Sequence, residues 1–372
     1  MHLKKWLIAI LVLSMILPGC WDIEELSSRS MPNVLFLDKG NSEKVKFGAV
    51  FFVPGSLLPP VVGTTQQFEK RNFVISVEGK DLTDGWNNLR AVTTSSVFFG
   101  QLRAIVISDE FARMNIDNFL DFVGRFPRMP LNIPVLVTKS DPEKLMDIKN
   151  KLNIIPGNYI SLQLESPYAK PQAIPGSLWE VFAAVDNKTF DPFMPLIEEY
   201  KENYRIAGMA VFSGSRMVGT ISVEETETAA LIKEIPNSLL TVKLADNQGL
   251  ASFRDISSST KVTPKLDNNG ILTLRIQMNV KGGVSELIPR KQTITLQDKQ
   301  RLESEAAASI KKRIGKLMSN LQSQGSDPLG FGEKFKSVYP QVWKTVNWHQ
   351  TYQSAKIDID TRFTIDQTGM FR

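Results

Sequence analysis

Apolar positions along the chain recur with two periods, every second residue for strands and every third or fourth for helices. Residues 45–53 (VKFGAVFFV) predict a strand ended by Pro54 and Gly55, residues 59–67 a loop, and residues 72–78 (NFVISVE) a second strand. LTDGWNNLRAVTTSS predicts a helix with Trp86, Leu89, Ala91 and Val92 toward one side, and GQLRAIVIS a strand with a continuous apolar centre. Ser108 or Asp109 can cap the turn that follows. Ile116 to Phe126 predicts an amphipathic helix, IPVLVTK from Ile133 a buried strand, and Asp141 to Lys149 another helix. Strands alternating with helices imply a sheet with helices packed on it.

Residues 151–203 carry Pro156, Pro167, Pro171, Pro175 and Pro192, and read as a connecting region with short helices, one near Ser177 to Val185. From Tyr204 the pattern changes. IAGMAVF, a SGSR turn and MVGTISV predict a hairpin, followed by a helix from about Glu224 to Ile235. KVTPKL, the turn DNNG and ILTLRIQMNV predict a second hairpin with Leu272, Leu274, Ile276, Met278 and Val280 on one face. A long helix over Asp298 to about Ser323 places Leu302, Ala306, Ile310, Ile314, Leu317 and Leu321 on one stripe, with Thr295 or Gln297 at its start and Gly325 at its exit. KIDIDTRFTI predicts a half-buried last strand. The fold class expected is α+β (mixed α/β), multi-domain, with mixed β-sheets each flanked by helices. Its parts are residues 1–19, an N-terminal α/β domain over 20–150, the connecting region over 151–203, and a C-terminal α+β region over 204–372.

Residues 1–19 stand apart. Lys4 and Lys5 precede an unbroken apolar run from Leu7 to Leu17, the form of a signal peptide and about half the roughly 20 residues that a spanning helix needs. Cys20, the one cysteine in 372 residues, follows directly. A disulfide needs a second cysteine, and a catalytic thiol needs a basic surrounding that a cleavage site does not supply. Lipid attachment fits best, since Leu17, Gly19 and Cys20 resemble the lipobox of bacterial lipoproteins, with Pro18 in place of the usual small residue. The alternative is a cysteine that happens to adjoin an ordinary cleavage site. One acyl chain holds only marginally, whereas the two of a diacylglycerol anchor stably. Loss of Lys4 and Lys5 with the leader lowers the formal charge from +5 to +3. That mild balance, without a basic and aromatic stripe, argues against nucleic acid.

Candidate chemistry is sparse. His349 is the one histidine left after the leader, so neither a histidine or cysteine zinc site nor any other metal or cofactor site is predicted. No GxSxG elbow accompanies it, and the plainer reading of His349 is a satisfied residue beside Trp348. The carboxylate pairs Glu198 with Glu199 and Glu224 with Glu225, and the cluster Lys311, Lys312 and Arg313, read as solvated helix faces. GFGE at Gly330 to Glu333 lacks the strand and the third glycine of a phosphate loop, and reads as a tight turn bringing Phe331 and Phe335 to the core. Phe331, Phe335, Trp343 and Trp348 read as core aromatics. No catalytic residue is predicted, and the chain is expected not to be an enzyme.

GCWDIEEL at Gly19 to Leu26, AGMAVFSGSRMVGTISVEETETAAL in the centre, and the tail DPLGFGEKFKSVYPQVWKTVNWHQTYQSAKIDIDTRFTIDQTGM resemble the Ger(x)C lipoproteins, the C subunits of spore germinant receptors. NVLFLDKG after Pro32 departs from the glycine-containing strand end usual there. The resemblance implies three domains, which would divide 204–372 in two. It implies a lipid anchor (a palmitate-type acyl group) on Cys20 at the outer face of the spore inner membrane. The partners implied are an A-type and a B-type membrane subunit, and the role implied is a non-enzymatic one in nutrient-triggered spore germination. Two other classes remain at this stage: a solute-binding lipoprotein delivering a small ligand to a permease, and a lipid-anchored cell-wall hydrolase.

Overall fold

In the computed structural model the described residues are 6, 29–41, 44–52, 72–93, 96–126, 129–165, 173–244, 249–289 and 294–367. The first part of the chain runs β1 (Arg29–Ser30), β2 (Pro32–Lys39), β3 (Val45–Phe52), β4 (Asn72–Gly79), α1 (Leu82–Val92), β5 (Ser96–Val97), β6 (Ala104–Ser108), α2 (Asp109–Met114) and α3 (Asp117–Gly124). It continues through β7 (Val135–Thr138), α4 (Pro142–Met146), α5 (Pro156–Glu165), α6 (Leu178–Asn187), β8 (Phe193–Tyr200), β9 (Asn203–Ser213) and β10 (Arg216–Ile221).

Eight of these strands form one mixed sheet in the order β10-β9-β8-β7-β6-β2-β3-β4. The middle four, β2, β6, β7 and β8, are mutually parallel, and antiparallel strands complete both sides. Strands covered on both faces read as continuous apolar runs, and β6 (AIVIS) and β7 (VLVT) are buried throughout. Alternate residues serve opposite faces. Leu35, Leu37, Ile105, Ile107, Val135 and Val137 join Trp86 and Leu89 of α1, Phe119 of α3 and Val181 of α6. Val34, Phe36, Val106 and Leu136 join Leu145 and Met146 of α4 and Ile160 and Leu164 of α5.

The second sheet is β11 (Asn237–Lys243), β12 (Leu250–Leu266), β13 (Leu272–Ile288) and β14 (Lys356–Gln367), in that order. The β12–β13 hairpin turns where DNNG predicts: the Asp267 carboxylate accepts from the N–H groups of Asn269 and Ile271, each at 2.9 Å, and Gly270 takes φ +76°. All five residues assigned to the inner face of β13, from Leu272 to Val280, are at most 2% exposed. The helix α7 (Val223–Ile232) precedes β11, and between β13 and the parallel β14 lie α8 (Leu296–Gln324), α9 (Phe331–Val338), α10 (Pro340–Trp343) and α11 (Trp348–Gln353). Thr295 caps α8 in a reciprocal pair with Asp298, and Gly325 ends it at φ +63°. Its predicted stripe from Leu302 to Leu321 is buried against the sheet. The class is α+β, with two mixed sheets flanked by helices.

Several expectations need correction. The hairpin β9–β10, expected to open the C-terminal region, is hydrogen-bonded to β8 and extends the first sheet. Inside the Pro-rich stretch, FMPLIEEY forms β8, and its Glu198 and Glu199 therefore stand on a strand rather than a helix. β2 and β11 were not anticipated either. The aromatic tail around Pro340 is three short helices, with α10 starting at the proline.

Candidate functional site

Two Asp-Pro dipeptides, Asp191-Pro192 and Asp327-Pro328, meet where β8 begins and where α8 passes to α9. Proline disfavours the helical region for the residue before it, and here each aspartate lies outside helix and strand with its side chain serving other segments. The Asp191 N–H donates to the Asp327 carbonyl at 3.0 Å, and the Asp327 N–H donates back to Asp191 Oδ2 at 2.7 Å. Asp191 Oδ1 also accepts from the Gly214 N–H at 2.7 Å, and His349 Nε2 lies 3.0 and 3.2 Å from its two oxygens. Asp327 satisfies the first N–H groups of α9, whose N-cap is Gly330: Oδ1 accepts from the Phe331 N–H at 3.1 Å, and Oδ2 from the Gly332 N–H at 2.8 Å and Trp348 Nε1 at 3.0 Å. The pair thus joins the first sheet, the β9–β10 turn and three C-terminal helices at one point.

Both carboxyls are buried, Asp191 at 4% and Asp327 at 0% exposure. Burial pushes the Asp327 carboxyl up to about 7, against the pull of its three donors. The hydrogen bond to Asp191 raises His349, against partial burial. Close approach is required here. A Cβ on Gly332 would stand 2.4 Å from the Thr189 carbonyl oxygen and 2.8 Å from Trp348 Nε1. Phe335 stacks on Trp348 with centroids 5.3 Å apart, and Trp343 lies 5.7 Å from Trp348. GFGE is therefore a turn that seats a helix, with Phe331 and Phe335 in the core.

Asp191 also lines two clefts. The larger, about 500 Å³, is walled by Lys188, Ser215, Trp343, Asn347 and His349 among others. The smaller, about 240 Å³, takes Trp179, Phe190, Lys233, Leu329 and Glu333. Chemically the junction is a fastening: every contact to Asp327 comes from a fixed donor, and His349 is engaged by a carboxylate as a satisfied partner. Among the described residues no group of three or more His, Cys, Asp or Glu could hold a metal ion.

The other candidates are dispersed. Cys20 lies outside the described residues. Glu198 pairs with Arg205 across β8 and β9. Glu225 is 7% exposed and closes the cap of α7: burial pushes its carboxyl up, but the Ser222 N–H and the Asn320 amide, at 2.9 Å each, hold it below its ordinary value. Arg313 is no solvated residue. Its Nη2 donates to the Thr241 carbonyl at 2.6 Å and its guanidinium lies 3.5 Å from Glu224, tying α8 to α7 and β11. Lys311 and Lys312 are exposed as expected. Sequence reasoning missed Asp191 and Asp327. Each precedes a proline at the edge of an apolar element, and that dipeptide was the available signal.

Residues 22–199 match the family described as Spore germination protein N-terminal domain, and residues 207–369 match Spore germination B3/ GerAC like, C-terminal. The chain belongs to the Ger(x)C family of spore germination proteins. It is 21% identical to Spore germination protein KC of Bacillus subtilis (strain 168), over 99% of this chain and 97% of that protein. It is likewise 21% identical to Spore germination protein B3 of the same organism, over 94% of both. The crystal structure of the GerBC protein superposes with a TM-score of 0.55 at 18% identity, covering 93% of this chain and all of that one. The Ger(x)C fold is thus shared at low identity. Both halves of the Asp191–Asp327 junction lie within the matched ranges, one in each. No helix among the described residues is long and apolar enough to cross a membrane.

Proposed function

We propose that the chain is a lipid-anchored, non-enzymatic subunit of a nutrient germinant receptor, needed to start spore germination. The observation that carries this reading is the match of both parts of the chain, 22–199 and 207–369, to spore germination families. Diacylglycerol on Cys20 holds the protein at the outer face of the spore inner membrane, where its partners are an A-type and a B-type membrane subunit. The structure supports a binding role in a simple way: the buried Asp191 and Asp327 carboxyls and the half-buried His349 are spent on holding segments together.

Affinity purification of a tagged chain from detergent-solubilised spore inner membranes, with mass spectrometry of what co-purifies, tests the proposal. Recovery of an A-type and a B-type membrane protein is expected. Recovery of a permease with an ATPase would replace this reading by solute delivery. Replacement of Cys20 by alanine is expected to release the protein from the membrane and weaken the nutrient response. An undiminished response at normal receptor level would refute the anchor's role.

A further inference from the structure

The first strand is β1, whose Arg29–Ser30 pair in parallel with Ser96–Val97. Nine residue-to-residue steps lead from Cys20 to Arg29, a path of at most about 31 Å when fully extended. With the anchor reading above, on which this inference rests, the bilayer lies within that distance of β1. The surface near β1 is therefore held close to lipid whatever else the protein binds.

A belt of backbone hydrogen bonds leads from β1 along the end of the sheet where the parallel strands begin. The Phe98 N–H donates to the Ser30 carbonyl at 3.0 Å, and Arg103 to Asn33 at 2.8 Å. Ile105 donates to Pro134 at 3.0 Å, Leu178 to Ile133 at 2.8 Å, and Trp179 to Leu131 at 2.9 Å. Across the sheet, three steps between neighbouring chains, each about 4.8 Å, separate the segment of Ser30 from that of Trp179, a lateral offset of about 15 Å. The last of these bonds joins two exposed large apolar residues, Leu131 at 47% and Trp179 at 55% exposure. Arg103, along the belt, is exposed as well.

We propose that Leu131 and Trp179 are the membrane-contacting edge of the anchored protein, seated at the boundary between headgroups and acyl chains of a phospholipid bilayer. Tryptophan favours that depth because its ring is apolar over most of its area and carries one N–H for the headgroup region. Leucine adds acyl contact beside it, and an arginine nearby meets lipid phosphate. Two acyl chains already hold the protein, so the contact sets orientation: the same end of the sheet faces the membrane, the smaller cleft, which Trp179 lines, opens beside it, and the larger cleft at Asp191 keeps a defined height above it.

The test uses the full lipidated chain in vesicles of phosphatidylethanolamine and phosphatidylglycerol. Single cysteines replace Leu131, Trp179, and two exposed apolar controls, Leu162 on α5 over the opposite sheet face and Val338 on α9. Each carries a spin label, and Cys20 is blocked by its lipid. Palmitate incorporation is measured on the same preparations. Expected are acylation, together with loss of broadening by a water-soluble nickel chelate at 131 and 179 but not at 162 and 338. Acylated protein whose labels at 131 and 179 stay as open to the chelate as the controls overturns the contact and leaves the anchor standing. Absence of palmitate overturns the anchor reading and this inference with it. Protection that arises only in native membranes holding partner subunits, and not in protein-free vesicles, overturns it in favour of a protein contact.

Discussion

Replacing Asp327 by asparagine changes one atom in a site that offers only donors. The Phe331 and Gly332 N–H groups and Trp348 Nε1 converge on the two carboxyl oxygens at 2.8 to 3.1 Å, and the residue is fully buried. The best amide orientation keeps its oxygen toward Gly332 and Trp348 and turns its NH₂ toward Phe331. One backbone donor and the amide nitrogen are then buried without partners. Each such group costs about 1–3 kcal/mol, so the loss expected is about 2–6 kcal/mol. Guanidinium unfolding near pH 7, followed by tryptophan fluorescence and circular dichroism, measures it. Trp348→Phe in the same background removes one donor, and a double-mutant cycle between the two changes should give a coupling of about 1 kcal/mol or more. A loss under about 1 kcal/mol with no coupling would refute the view that Asp327 fastens the C-terminal helices to the first sheet.

Three further outcomes follow from the same geometry. Gly332→Ala pushes a methyl group against the Thr189 carbonyl, and should lower stability by about 1–3 kcal/mol in the same unfolding assay. Leu317→Ala, at a fully buried position on α8, should cost about 2–5 kcal/mol and shift the denaturant midpoint accordingly. The pH dependence has a definite sign. Asp327, pushed up to about 7, and His349, also raised, both bind protons more tightly in the folded protein. The stability contributed by Asp327 is full below the ordinary carboxyl range near about 4 and is lost as pH rises through about 7. That of His349 is full below about 6.5 and is lost as pH rises through its raised folded value. Denaturant midpoints should therefore fall between about pH 5 and 8, and His349→Gln should flatten the upper part of that fall. A midpoint that rises over this range would contradict both assignments.

Local signals account for what was legible. The α8 stripe, the Thr295 start and the Gly325 exit are set by spacing and by backbone groups within a few residues, and all appear as read. The β12–β13 hairpin is equally local, since its turn residues and its two-residue period sit side by side in the chain. β2 and β8 were hidden for a physical reason. Strands buried on both faces lose the alternation that marks a half-exposed strand, and β8 carries Pro195 inside its run. The helix assumed for Glu198 and Glu199 failed there.

The sequence by itself determined the family and each element whose period and caps lie within one short window, and it set the expectation of a lipid on Cys20. Only the tertiary structure decided which sheet the β9–β10 hairpin joins, because backbone hydrogen bonds to β8 carry no residue-specific mark. It alone brought Asp191 to Asp327 across 136 residues. Each aspartate looks like an ordinary turn residue, and becomes structural only when folding removes water and leaves opposing N–H groups with no other acceptor.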